Sequence, residues 1–325
     1  MPARKTESRL PNGYTANDLG QSAQSADGSA VIISYIISPL VLGRVNNYVV
    51  FITNPALAGT AASYDWTITP GGNLPINETT SVGEFSFTPS TTGVLTVKVS
   101  IKDAGNAEQA VITMNQEIVQ RNTELETLIT AAANAPGPGI GNLDVARELV
   151  NDHNPYYQQV ALQTPEAGDG FKRFVFSMVS EGALQKPLQP RKVQLDAMAA
   201  ALNGGAGDFV TLAAEGMGVC RIRLALLAMV ASGLAWTELP DAASPRAAAD
   251  QQLREALAAL DENKKIDLFN LVRFPKSNIV QCGRVLEALR NRYFAGANFN
   301  DVLTGMSGTR AHWISRHYKE GPIAT

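Results

Sequence analysis

Cysteine and histidine are the scarce residues in this 325-residue chain. Two cysteines, Cys220 and Cys282, are too few for a disulfide scaffold or a four-cysteine zinc site. Three histidines leave little for metal or triad chemistry. No HExxH motif occurs, and His312 and His317, five apart, fall about 140° apart around a helix instead of on one face. No metal site and no cofactor are therefore expected. Charge of one sign is also missing: 27 basic residues against 30 acidic give a formal −3, too balanced to mark the whole chain as a nucleic-acid or membrane-surface binder. Long apolar runs are absent as well. Ala30 to Gly43 is interrupted by Pro39, and Leu224 to Trp236 is too short to span a bilayer, so no transmembrane insertion is expected. Arg4, Lys5 and Arg9 have no apolar core behind them, which argues against a secretory signal. The chain is expected to be made in the cytoplasm; work elsewhere would need association with a particle or a non-classical export route.

What is present divides the chain. The length points to two domains. Residues 1–29, rich in Ser, Ala, Gln, Asn and Gly, read as a flexible polar arm. From 30 to 119 the pattern has a period of two. Leu95, Val97, Val99 and Ile101 alternate with Thr96, Lys98, Ser100 and Lys102, and Tyr64, Trp66 and Ile68 alternate with Asp65, Thr67 and Thr69. Phe85 and Phe87 do the same, and strand-like runs lie near 31–37, 46–53 and 108–118. Turn signals at Asn54-Pro55, Pro70-Gly71-Gly72, Pro89 to Gly93 and Asp103 to Asn106 separate them. Six or seven strands with no helical segment between them have the cadence of an antiparallel sandwich. Residues 120–142 read as a connecting helix followed by a Pro/Gly linker, Asn134 to Gly141. From 143 to 325 everything reads as helix. The expected fold class is thus multidomain β + α, an immunoglobulin-like sandwich followed by a mainly α-helical bundle.

Two stretches resemble the PKD group of immunoglobulin-like domains. Tyr64-Asp65-Trp66-Thr67-Ile68 with Pro70-Gly71-Gly72 is similar to that group's central strand and turn. Phe87 through Asp103 is similar to its closing hairpin. The acidic and glycine residues that follow the Trp strand in the family are replaced here by Thr67, Thr69 and Pro70. The resemblance implies a spacer, adhesion or assembly role, with a protein partner bound through this domain, and no chemistry.

In the helical part, Phe171, Phe174, Val175, Met178 and Val179 follow the i, i+3, i+4, i+7, i+8 rule. Leu195, Met198, Ala199 and Leu202 form a second stripe closed by Gly204-Gly205. Val219 to Trp236, apolar nearly all round, reads as the central helix. Ser244-Pro245 opens a helix carrying Leu253, Leu257 and Leu260. Ser277 reads as the cap of a helix with Cys282, Val285, Leu286, Leu289 and Tyr293, and a last helix holds Trp313, Ile314 and His317.

With cysteine and histidine set aside, carboxylates are the remaining candidate catalysts. Glu181, at the end of the amphipathic segment and before Gly182, is the candidate general acid, since desolvation there could raise its pKa. Phe176 to Leu184 resembles the helix-then-Glu-Gly start of phage-type lysozymes, and 221–236 with 257–294 has a cadence similar to their helical half. That resemblance implies a delivered effector whose helical domain cleaves peptidoglycan. The family's second acid has no counterpart between Gln185 and Arg191, and Glu215-Gly216 is an equally good Glu-Gly pair. Residues 264–319 hold ten Lys and Arg against Asp267, Glu287 and Asp301. Arg284, Arg290, Arg292, Arg310, Arg316 and Lys319, interleaved with aromatics, are candidates for binding cell-wall glycan or another polyanion. The leading expectation is a non-catalytic interaction or assembly protein of a bacterial or phage-like particle; the alternative is the peptidoglycan-cleaving effector.

Overall fold

The structure is a computed structural model that describes residues 3–120, 127, 153–163, 168–185, 188–238, 243–299 and 308–321. The chain divides into two compact units, Met1–Gly139 and Ile140–Thr325. The segment expected to form a connecting helix and linker lies almost wholly outside the described residues.

The first unit holds two sheets. One has four antiparallel strands in the order β1 (Gln21–Gln24), β2 (Ala30–Ser34), β4 (Asn46–Ile52) and β7 (Glu84–Phe87). The other runs β3 (Leu40–Val41), β9 (Glu108–Val119), β8 (Gly93–Asp103), β5 (Ala61–Thr69) and β6 (Ile76–Thr80). All pairings are antiparallel except β3 with β9, where Leu40 faces Ile118 and Val41 faces Val119 in parallel register. The period-two reading places the inward side chains correctly. Tyr64, Trp66, Ile68, Leu95, Val97, Val99 and Ile101 are all buried and join Ile32, Tyr48, Val50 and Ile52 of the other sheet in one core. Trp66 stacks on Phe85 across that core at 5.2 Å.

Polar groups also cross it. Gln116 of β9, nearly buried, donates from Nε2 to Gln21 Oε1 (3.0 Å), Ser34 Oγ (3.1 Å) and the Ile36 carbonyl (2.9 Å). Its Oε1 accepts from the Tyr48 hydroxyl at 2.8 Å. Asn46 completes the set, donating to Ser34 Oγ (2.7 Å) and accepting from the Ile36 amide (3.1 Å). Burial pushes the Tyr48 hydroxyl's pKa well up, so it remains a donor.

Two expectations are corrected here. Residues 3–29 are not a flexible arm. A 3₁₀ turn (Lys5–Glu7), helix α1 (Ala16–Leu19) and β1 dock this segment, burying Thr6, Glu7 and Leu19. The polar composition hid this, because the anchors are hydrogen bonds such as Ser38 N–H to Gln21 Oε1 and Gly83 N–H to Glu7 Oε2. Asn54-Pro55 is not a turn between strands but the start of helix α2 (Pro55–Thr60). Asn54 Oδ1 caps the amides of Ala56 and Leu57, and Pro55 occupies the first position.

The second unit contains helices α3 (Asn154–Gln163), α4 (Gly168–Gln185), α5 (Leu188–Leu202), α6 (Phe209–Ala214), α7 (Leu224–Ala231), α8 (Ala243–Ala258), α9 (Glu262–Arg273), α10 (Pro275–Tyr293) and α11 (Gly308–Glu320). The stripe Phe171, Phe174, Val175, Met178, Val179 is buried along α4 as its spacing requires, with Phe171 packed on Phe299 at 4.4 Å. Ser277 does not cap α10. Phe274 is the N-cap and Pro275 the first helical residue, so Ser277 lies inside, buried. No helix among the described residues is long and apolar enough to cross a membrane.

Replacing Gln116 by Leu preserves volume but strands the Tyr48 hydroxyl and its neighbours without their partner. The expected cost is about 2–4 kcal/mol of the first unit's stability. Thr113→Ala, exposed on the same strand, should cost under about 0.5 kcal/mol. Urea unfolding of both variants decides this, and equal midpoints would remove the network's role.

Candidate functional site

The apolar stretch from Val219 is not the long helix its composition suggests. It begins with a tight reversal in which Met217 and Ile222 exchange both backbone hydrogen bonds at 2.9 Å, and only then does α7 start. Glycines permit this. Gly218 has φ +69°, and a Cβ there would lie 2.2 Å from Asn278 Nδ2. A Cβ on Gly216 would lie 2.1 Å from the Arg221 carbonyl oxygen. Arg221 itself adopts φ +50°, a left-handed conformation rare for a residue with a side chain. The clamp on the reversal is Asn278 of α10, fully buried. It donates to the Met217 and Val272 carbonyls (3.2 and 3.1 Å) and accepts the Cys220 amide at 2.8 Å.

Helix α11 closes the site from the other side. The Tyr318 hydroxyl donates to the Cys220 carbonyl at 2.9 Å, and Arg223 donates to the Glu320 carbonyl at 2.9 Å. Lys319 Nζ meets Glu181 Oε1 of α4 at 2.6 Å. These contacts enclose a cleft of about 140 Å³ lined by Met178, Glu181, Gly216, Cys220, Arg221, Arg223, Tyr318 and Lys319. Among the described lining residues three are cationic and one is a carboxylate. Beneath it, Cys220 and Cys282 share a hydrogen bond. Burial, then that contact, push the Cys220 thiol well above its ordinary value, so it stays protonated and is no nucleophile. Cys220 therefore sits in a turn and not on a helix, although it is as buried as a helical core cysteine would be.

The candidate residues read from the sequence fare unequally. Glu181 and Lys319 are brought together in this cleft. Arg284 is exposed on α10. Arg290 is almost buried, donating to the Ala297 carbonyl and Asn291 Oδ1 and lying 5.2 Å over Phe299, so it is committed within the fold. Arg292 pairs with Glu238 at 3.0 Å and lies over Trp236. Arg316 pairs with Glu320 at 3.3 Å and lies over Trp313, while Arg310 lies 5.9 Å from Phe294. Sequence reasoning missed Arg221 and Arg223; the available signal was the pair of glycines, Gly216 and Gly218, just before two arginines in an otherwise apolar run. Among the described residues no group of three or more His, Cys, Asp or Glu is placed to hold a metal ion.

Comparison with known proteins adds little. No family profile and no curated protein matches the chain. Among solved structures, the PKD domain of an M14-like peptidase from Thermoplasmatales archaeon SCGC AB-540-F20 is similar to it at 17% identity, with a TM-score of 0.19, over 30% of this chain and 97% of that domain.

Two outcomes follow for this region. Gly218→Ala forces a Cβ against Asn278 and should cost about 2–4 kcal/mol, read by chemical unfolding. His317 is buried on α11 against Tyr293, the rings 4.0 Å apart and parallel, and burial lowers its pKa. Its folded pKa lies below the unfolded value of about 6.5, so the unfolded chain binds the proton more tightly. Its contribution is complete above about pH 6.5 and is lost as pH falls towards the folded pKa. Melting followed by helical circular dichroism should thus shift to lower temperature as pH falls below about 6.5, and His317→Gln should flatten that shift.

Proposed function

We propose that this is a non-catalytic interaction or assembly protein. In this reading residues 30–119 form an immunoglobulin-like sandwich of the PKD kind that attaches the chain. The helical unit, a bundle, contacts a partner through the Glu181 cleft. Two sheets sharing one core, with a parallel β3–β9 pair beside antiparallel neighbours, support the sandwich. The observation that carries the functional reading is the composition of the cleft. Glu181 is held by Lys319 at 2.6 Å, Arg221 and Arg223 share the lining with it, and among the described lining residues there is no second carboxylate. Glycoside hydrolysis by paired acids needs two carboxyl groups about 5–10 Å apart across the scissile bond.

One observation favours the alternative of a peptidoglycan-cleaving effector: Glu181 does line a cleft instead of a convex surface. The two readings separate in a single assay. Full-length protein incubated with purified peptidoglycan should release no soluble fragments, and Glu181→Gln should behave like the wild type. Release by the wild type that Glu181→Gln abolishes, with the fold retained, would establish hydrolysis and overturn the binding reading.

A further inference from the structure

We infer that the outer edge of β6 is the docking edge of the first unit, and that it takes an extended segment of a partner protein carrying a lysine or arginine opposite Glu78. This rests on reading residues 30–119 as the attaching module, and it names the edge that attaches.

A strand at the border of a sheet presents unpaired backbone groups that recruit another strand, and folded proteins blunt such borders. Among the described residues the two sheets have four of them, β1, β7, β3 and β6. Three are blunted. β3 has two residues, both buried, behind Pro39. β1 follows directly on helix α1, with Ser22 Oγ donating to Asn17 Oδ1 at 2.7 Å, and three of its four residues are half-buried. β7 is fastened to the N-terminal 3₁₀ turn, where Glu7 Oε2 accepts the Gly83 amide at 3.3 Å and Arg4 lies 3.6 Å from Glu84. Its Phe85 is buried against Trp66. β6 is different. Four of its five residues are exposed, and among the described residues no backbone bond reaches its outer side. Only Thr80 is half-buried, its hydroxyl accepting the Trp66 indole N–H at 2.9 Å.

The side chains select the occupant. Ile76, Thr79 and Thr80 are β-branched and hold the edge extended. Pro75, which has no amide to offer, ends it and leaves Ile76–Thr80 as the length a partner strand covers. Ile76 lies opposite Ile68 on the inward side yet is 47% exposed, and Leu74 before it is 87% exposed. Apolar residues on a partner strand would remove both from water. Glu78 stands at the middle of the strand, opposite Trp66. It is exposed, and among the described residues no cation pairs with it. An acid there repels a second copy of the chain. Antiparallel pairing of two β6 strands sets Glu78 opposite or diagonal to its counterpart, and like charges so placed destabilise a ladder. The same acid favours a strand with a cation across from it. Backbone pairing thus supplies affinity, and Glu78 the choice of partner.

In antiparallel register the peptide Thr-Thr-Lys-Thr-Val-Thr-Val sets its lysine across from Glu78, one valine across from Ile76 and the other towards Leu74. Full-length protein is titrated with this peptide, fluorescein-labelled, by fluorescence anisotropy, and amide exchange is followed by NMR. Saturable binding is expected, with slowed exchange at residues 76–80. A glutamate in place of the lysine should weaken binding about fivefold. N-methylation of the edge-facing amides should abolish it, since backbone pairing supplies the affinity. Glu78→Lys should reverse the order of the lysine and glutamate peptides, whereas Glu117→Lys, exposed on β9, should leave it unchanged. Glu78 is exposed, so the fold should hold. Should Glu78→Lys nevertheless unfold, the three peptides on the wild type decide. Absent binding, binding indifferent to N-methylation, or an unchanged order in Glu78→Lys would each overturn the assignment. So would sedimentation as a dimer whose 76–80 amides are protected before peptide is added, which would give the edge to a second copy. Failure here without peptidoglycan hydrolysis removes the docking edge and leaves the interaction reading standing. Hydrolysis lost in Glu181→Gln removes that reading, and the peptide titration still decides β6 by itself.

Discussion

A polar group taken out of water has to find its partners inside, and in each unit of this protein a side-chain carboxamide, Gln116 or Asn278, meets part of that demand. In the first unit Gln116 reaches from one sheet to Gln21, Ser34, Ile36 and Tyr48 of the other layer. In the second, Asn278 binds two carbonyls and an amide of segments that would otherwise bury unpaired backbone. The hydrophobic core supplies most of the driving force, but it is not directional. The carboxamides specify which strand lies over which, and how sharply the chain reverses at 217–222. An amide carries both donors and an acceptor, so neither a hydroxyl nor a carboxylate could make the same set of bonds.

The cleft is the product of that second clamp. Its parts divide by how they are held. Arg221 and Arg223 ride on a reversal held from below by Asn278 and from the side by Tyr318. Glu181 and Lys319 reach in from helix surfaces, on long side chains exposed to water. The reversal and the ion pair thus meet in one small volume. The buried thiols beneath it, Cys220 and Cys282, contribute packing and no reactivity.

Much of the architecture was legible because periodicity is a direct record of burial. The alternation at 95–102 and 64–69 marked the inward residues of β8 and β5, and the spacing of Phe171 to Val179 marked the buried face of α4. Where the reading failed, short-range polar contacts had replaced hydrophobic pattern. The docked segment 3–29 carries little apolar signal, and α2 is too short for any period to show. The reversal at 216–223 was hidden for the opposite reason. Val219, Cys220, Ile222 and Leu224 are as apolar in a buried turn as they would be in a helix, and only Gly216 and Gly218 betrayed the backbone. Of the cleft, Glu181 and Lys319 were named from the sequence for separate reasons. Their meeting, and the placing of Arg221 and Arg223 in the same lining, depend on long-range packing that no local pattern encodes.

The bond from Tyr318 to the Cys220 carbonyl joins residues 98 positions apart. A protein is made from its N-terminus onward, so one wall of the cleft is synthesised long before the other. While α8, α9 and α10 are emerging, the arginines of the reversal exist without Lys319 and Tyr318 opposite them. The cleft is a late feature of folding, completed only when α11 returns to the loop. The complete cleft is therefore absent from the nascent chain and belongs to the finished molecule alone.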